Sequence, residues 1–160
     1  MKFLEHAHIV HAAPAALIAA NEDIWNGDVA TDVISMANAK SCVFMIIQNA
    51  GTGSASVQIF ACSTVTPTAT AAISFSYKRI TAGDTHGATT ETKLLRTTGG
   101  ATGSNCIYVI EVDAAKLAEH GYKYVQLDAT EASNFPVDGA IVAFLMGLRS
   151  AEDALGTQLT

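Results

Sequence analysis

Residues Ser41–Gln48 read SCVFMIIQ, a nearly continuous run of apolar side chains. A short run of this kind is typical of a strand that is buried on both of its faces. Residues 49–53 (NAGTG) follow and supply a turn, because glycine permits positive φ angles. Ser54–Cys62 (SASVQIFAC) then alternates small or apolar residues with polar ones. Its period of two predicts a second strand, in a sheet that has one face in contact with water.

Further strand patterns recur on both sides of this pair of strands. In residues 73–79 (ISFSYKR), the side chains of Ile73, Phe75 and Tyr77 are predicted to share one face. The other segments with strand patterns are 93–97 (KLLRT), 106–112 (CIYVIEV), 122–127 (YKYVQL) and 140–148 (AIVAFLMGL). Turn residues separate these segments, so the sequence predicts about six to eight short strands in an antiparallel β-sandwich or a jelly-roll-like barrel.

The last of these segments, residues 140–148, is the most apolar part of the chain. Its length, its β-branched residues and the preceding glycine favour one long strand over a helix of two turns. We expect this strand to be central, with Val142, Phe144 and Met146 on its buried face.

One short helix is predicted between two of the strands. Asp113 is placed to cap a helix at residues 114–120, and Gly121 is placed to end it.

The two ends of the chain do not fit the strand pattern. We interpret residues 1–28 as an N-terminal arm, in which residues 1–10 form either an edge strand or an extended segment. The β-sandwich domain is predicted at residues 29–149, and residues 150–160 form a C-terminal tail.

Composition and charge exclude several classes of protein. The 160 residues are 49% hydrophobic and only 15% charged, against a usual charged share of about 25%. A surface so poor in charge indicates that part of it is covered by something other than water. The net charge of −6 and the scattered basic residues argue against a nucleic-acid partner. No apolar run reaches the length of about 18 residues that a membrane-spanning helix needs.

The N-terminus superficially resembles a signal peptide, because Met1 and Lys2 precede an alanine-rich stretch. However, Glu5 and several histidines interrupt the region that should be apolar throughout, and Pro14 divides the rest. We therefore expect the protein to be made in the cytoplasm. Its three cysteines are an odd number at wide spacing, so we expect buried free thiols. A disulfide formed after release from the cell is the alternative.

Three histidines in the arm, His6, His8 and His11, are candidate metal ligands. In an extended strand His6 and His8 project from one face, and His11 can reach them only if the chain curls back. Zinc would need a further ligand, and no cysteine lies nearby at a diagnostic spacing. We therefore expect no metal, and we interpret these histidines as part of an arm that contacts solvent or another subunit.

Trp25 is the only tryptophan, and it has three possible roles. It can anchor a protein interface, stack on a sugar or pack against the domain itself. We retain it with the three histidines as a candidate interface residue.

The residues needed for catalysis are dispersed. No serine lies in a G-x-S-x-G motif, and the glycine clusters lack the Gly-Lys-Ser/Thr ending of a phosphate-binding loop. Glu111 and Asp113 share a strand face and are a candidate acid–base pair, but a solvent-facing strand residue and a helix cap are the better interpretation of the two. We expect no enzymatic activity and no cofactor.

The C-terminal half resembles a known family. The segment IYVIEVDA at 107–114, the short helix around Leu117 and the segment GYKYVQL at 121–127 form the recurring pattern. A turn of small residues then leads into the apolar strand that ends before Arg149. Together these segments look like the head decoration or cement-type proteins of tailed-bacteriophage virions. Family members often carry an aromatic residue after the terminal arginine, where this chain has Ser150-Ala151-Glu152.

The resemblance implies a structural protein that binds the major capsid protein on the virion surface and stabilises the capsid. It also implies a homo-oligomer, for which a trimer would match the local symmetry of an icosahedral shell. Two alternatives stay open. One is a carbohydrate- or receptor-binding β-sandwich that uses Trp25 or tyrosines as stacking platforms, and the other is a structural protein of the head–tail junction or tail.

Overall fold

The computed structural model describes residues 7–12, 23–25, 27–49, 52–81, 85–97, 105–133 and 136–148. These residues form two antiparallel β-sheets and one short helix. Buried side chains from both sheets belong to a single hydrophobic core cluster between them. The fold is therefore mainly β and sandwich-like, which confirms the predicted class.

The first sheet contains seven of the described strands. Six lie side by side in the order β1 (Ala7–His11), β13 (Gly139–Met146), β4 (Ser41–Gln48), β11 (Cys106–Asp113), β7 (Phe75–Thr81) and β8 (Thr85–His86). The seventh, β9 (Thr90–Thr92), also pairs with β7. The strand predicted to be buried on both faces, β4, thus lies in the interior of the sheet between β13 and β11.

The second sheet contains six of the described strands. Four lie in the order β10 (Leu95–Arg96), β5 (Ser54–Cys62), β12 (Tyr124–Ser133) and β2 (Asp28–Ala30). Two more pair with its central strands: β3 (Ile34–Ser35) with β12, and β6 (Thr70–Ile73) with β5. The sheet covers the core with Val57, Ile59, Val125 and Leu127, all fully buried.

The helix α1 (Ala114–Ala118) joins the two sheets between β11 and β12. Asp113 caps its start, because one carboxylate oxygen accepts the Ala115 N–H at 2.9 Å. Gly121 follows its end with a φ of 72°, the left-handed conformation that glycine adopts without strain. Both predicted signals are confirmed, although the helix is shorter than residues 114–120. In the part of the chain that the structure describes, no helix is long and apolar enough to cross a membrane.

The segment predicted as one strand at residues 73–79 is divided. Ile73 ends β6 in the second sheet, and Phe75 begins β7 in the first, so the chain passes from one sheet to the other at Ser74. Ile73 and Phe75 are buried and Tyr77 packs against the core, as the alternation predicts. The alternation continues across the crossover, which is why the pattern did not reveal it.

The orientation predicted for the last strand, β13, is wrong. Its buried residues are Ile141, Ala143 and Leu145, while Val142, Phe144 and Met146 are half-buried on the opposite face. Ile141 pairs with Ile46 of β4, and Ala143 pairs with Phe44, both fully buried. The register with β4 therefore selects the odd-numbered residues for the core.

The N-terminal arm contributes an edge strand. Residues Ala7–His11 form β1, which pairs antiparallel with β13 and lies at the edge of the first sheet. The edge-strand alternative is confirmed for these residues. Residues 1–6 and 13–22 of the arm lie outside the described residues, as does the C-terminal tail at 150–160.

Candidate protein interface

The outer face of the first sheet, which points away from the core, is formed by four cross-strand rows. The row nearest α1 is mixed in polarity and contains Ala7, Met146, Ser41 and Asp113, and the other three rows carry most of the apolar side chains. Residues paired in an antiparallel sheet project from the same face, so the register defines each row. The first of these three rows contains Ala140, Ile47, Ile107 and Ile80. The second contains His11, Val142, Met45, Val109 and Lys78. The third contains Ile9, Phe144, Val43, Glu111 and Ser76, and it ends at Glu91.

Most side chains in these rows are apolar, and we call the apolar set the apolar face. Ile9 and Ile47 are 48% and 42% exposed, and the other members are half-buried. The members of the apolar face are Ile9, Val43, Met45, Ile47, Ile80, Ile107, Val109, Ala140, Val142 and Phe144. Because monomeric proteins rarely expose large contiguous apolar patches, this face is a candidate interaction site.

The outer face of the second sheet provides an internal comparison, because it is largely polar. There β5 and β12 pair Gln58 with Asp128 and Ser56 with Thr130. Arg96 of β10 joins the latter row. The same chain thus has one polar outer face and one apolar outer face. Its overall composition therefore does not explain the apolar face.

The two strands at the centres of the sheets show the same contrast. On β5 the outward positions include Ser54, Ser56 and Gln58, whereas on β4 they include Val43, Met45 and Ile47. The sequence predicted β4 to be buried on both faces, yet one of its faces is only partly covered. We conclude that this strand has the composition of a strand covered by protein on both sides.

Two charged residues interrupt the rows of the apolar face. Glu111 and Lys78 are both exposed and lie on the adjacent strands β11 and β7. Their formal charges cancel. The neighbouring acidic group Glu91 forms an ion pair with Lys116 at 3.2 Å, which lowers the pKa of the Glu91 carboxyl.

The structure separates the candidate histidines. His8 pairs with the buried Leu145 and so projects from the core side at the edge of the sheet, while His11 pairs with Val142 and projects from the outer face. His6 lies outside the described residues. Among the residues that are described, no group of three or more His, Cys, Asp or Glu side chains is positioned to hold a metal ion.

Trp25 is fully buried within the core cluster. Asp23 fixes this segment, since one of its carboxylate oxygens accepts the N–H groups of Trp25 at 3.0 Å and Val137 at 3.1 Å. Of its three possible roles, packing against the domain is the one that the structure shows. Its ring is not available on the surface of the isolated chain.

The tyrosines considered as sugar-stacking platforms do not share a surface. Tyr108 is buried, Tyr77 packs against the core, and Tyr124 belongs to the outer face of the second sheet. Tyr122 packs against the core beyond the end of α1. A carbohydrate platform needs neighbouring aromatic rings on one face, and these four residues do not provide it.

The three cysteines are buried free thiols, as expected. Burial raises the pKa of Cys42 to about 12 and that of Cys62 to about 11, so both remain protonated and unreactive near neutral pH. Glu111 and Asp113 are exposed, and Asp113 serves as the helix cap described above.

Sequence reasoning identified none of the apolar face as an interface. The available signal was the run SCVFMIIQ itself, whose outward-pointing residues Val43, Met45 and Ile47 are as apolar as its inward-pointing ones. The other strands that complete the face are distant in sequence.

A comparison of the chain with protein-family models, with curated proteins and with solved structures found no match. The class that the structure defines is a mainly β, sandwich-like fold.

Proposed function

We propose that this chain is a non-enzymatic structural protein of a tailed-bacteriophage virion, which binds the outer surface of the capsid and stabilises it. Its partners are the major capsid protein and further copies of itself, and it requires no cofactor. The observation that carries the proposal is the apolar face, centred on a strand whose sequence is that of a strand buried on both sides.

The resemblance to head decoration proteins supports this choice of assembly. The segments that carry it fall on consecutive elements of the fold: β11, α1, the start of β12, and β13. Two of these strands, β11 and β13, flank β4 and contribute Val109 and Val142 to the apolar face. The segments that resemble the family thus adjoin the surface that needs a partner.

The energetics also favour a role in a large assembly. Each apolar side chain that is covered contributes in proportion to its buried area, at about 25 cal/mol per Å². A modest contact of this kind becomes strong when it is repeated over many equivalent sites, because linked contacts reinforce one another. A capsid offers such a repeated lattice.

The direct test is binding to capsids assembled without this protein, measured by co-sedimentation. Ile47→Glu places a charge on the apolar face, and we expect it to weaken capsid binding by more than about tenfold. Ser56→Glu makes the same charge change on the polar outer face of the second sheet, between Thr130 and Arg96, and should leave binding unchanged.

Two outcomes contradict the proposal. One is wild-type protein that does not co-sediment with capsids. The other is protein that binds purified tails or a glycan array instead, which favours the tail or the carbohydrate alternative.

A further inference from the structure

We propose that the occupant of the apolar face is a second copy of this chain, giving a two-fold dimer in which the two first sheets pack face to face. This pairing rests on the proposed role in assembly and specifies the homo-oligomer within it. The capsid protein would then be bound by the rim of the dimer, and Ile47→Glu would weaken capsid binding by dissociating the dimer, whose two linked sites bind more strongly than one.

Charge is the first argument for a second copy. The chain carries a net charge of −6, so two copies repel each other through most surfaces. In the three rows of the apolar face the charged side chains are Lys78 and Glu111, which have opposite sign, and Glu91, which ends the third row and forms an ion pair with Lys116. Two copies can therefore meet through this face without bringing an excess of negative charge together.

Shape is the second argument. Both copies of a sheet have the same right-handed twist, and twisted sheets pack face to face with their strands about 30° apart. The core of this sandwich is already built by such a packing of two sheets. The apolar face presents the branched and unbranched aliphatic side chains that fill an interface of this kind.

Area is the third argument. Five strands about 4.8 Å apart and three rows about 6.7 Å apart give a face of about 500 Å². Two such faces together remove about 1,000 Å² from water, which reaches the lower limit of a specific interface. Full overlap of the two faces is therefore required, and partial overlap does not suffice.

Full overlap fixes the residue at the centre. β4 is the middle strand of β1, β13, β4, β11 and β7, and Met45 lies in the middle row. A two-fold axis that relates two fully overlapping faces lies between them and passes through their centre. Met45 of one copy must then lie close to Met45 of the other.

The test is sedimentation equilibrium of the full chain and of variants at Met45. Wild-type protein should dimerise, whereas Met45→Glu and Met45→Lys should each weaken dimerisation by more than about 100-fold, because each buries two like charges together. An equimolar mixture of the two variants should restore the dimer through Glu–Lys pairing across the axis. Ser56→Glu, on the polar outer face of the second sheet, should dimerise like the wild type.

Thermal unfolding followed by circular dichroism checks that each variant folds. If a charge at Met45 prevents folding, Met45→Ser removes the apolar contact without a charge and should still weaken the dimer. A monomeric wild type overturns the inference, as does a dimer that Met45→Glu leaves intact, or a mixture that stays monomeric. Association that appears only after deletion of residues 149–160 also overturns it, since the tail then occupies the face.

The capsid-binding assay separates this inference from the proposed function. A monomer that binds capsids supports the proposed function and contradicts the proposed dimer. A dimer that does not bind capsids supports the proposed dimer and contradicts the proposed function.

Discussion

Gln48 is a buried glutamine whose side-chain amide has no hydrogen-bond partner in the structure. An unsatisfied buried amide costs about 1–3 kcal/mol of stability. We expect Gln48→Met, which keeps a similar volume, to raise the free energy of unfolding by about 1 kcal/mol. Urea denaturation followed by fluorescence measures this change.

Gln126 provides the matched control for this substitution. Its side-chain amide donates a hydrogen bond to the Thr31 carbonyl oxygen at 2.8 Å. Gln126→Met removes that bond and should lower the free energy of unfolding by about 1 kcal/mol. If both substitutions lowered the free energy of unfolding equally, a buried water would have to be hydrogen-bonded to the Gln48 amide.

Asp128 makes the free energy of unfolding depend on pH in the opposite sense to most carboxylates of folded proteins. Burial, and then the negative charge of Asp28, raises the pKa of the Asp128 carboxyl above 3.8. Ionisation therefore opposes folding: the cost is absent at pH values below 3.8 and is complete above the raised pKa. We expect Asp128→Asn to stabilise the protein at pH 7 and to have little effect at pH 3.

Urea titrations at the two pH values measure the effect of Asp128→Asn. Asp138→Asn removes an exposed carboxylate and controls for the change in net charge. An Asp128→Asn variant that is no more stable at pH 7 than the Asp138→Asn variant would contradict the raised pKa of Asp128.

At the scale of the elements, β13 separates core packing from interface packing within one strand. Ile141 points to the core and is 2% exposed, whereas its neighbour Val142 belongs to the apolar face. We expect Ile141→Ala to lower the free energy of unfolding by about 2–5 kcal/mol, and Val142→Ala by less than about 1 kcal/mol in the dissociated chain. Urea denaturation at low protein concentration checks this, and a larger loss for Val142→Ala would reverse the orientation of the strand.

The sequence predicted β4 and β5 well because the apolar run of one and the period of the other are strong, whereas β12 continues to Ser133, beyond the predicted end at Leu127. The bounds of β4 and β5 agree with the predicted Ser41–Gln48 and Ser54–Cys62. The orientation of β13 was not predictable, because its even and its odd positions are both apolar and only pairing with β4 distinguishes them. Strands of two residues, such as β8 and β10, are too short to show a period.

At the scale of the whole molecule, the sandwich is asymmetric. Its second sheet has a polar outer face, and its first sheet has an apolar one. The apolar face was not predictable from the sequence, since it is assembled from β1, β4, β7, β11 and β13, which lie far apart along the chain. Apolar runs indicate burial, but they do not say whether the covering layer belongs to the same chain or to another.

The low charge of the chain is expected if the proposed assembly covers the apolar face. A charged fraction of 15% is small for a monomer that water surrounds on all sides. It is reasonable for a subunit that covers one outer face on another subunit. Apolar side chains thus lie on both sides of the first sheet. One set forms the core of the sandwich, and the other forms the apolar face.

The central claim, that protein covers the apolar face in the assembled state, is tested most directly by the reactivity of a cysteine placed there. The native cysteines are buried, so a cysteine at Ile47 or at Gln58 is the thiol that maleimide reaches. We expect Ile47→Cys to react readily at low protein concentration and at least about tenfold more slowly in the assembled state, while Gln58→Cys reacts at the same rate in both. Equal reactivity of Ile47→Cys in the dissociated and assembled states would contradict the claim.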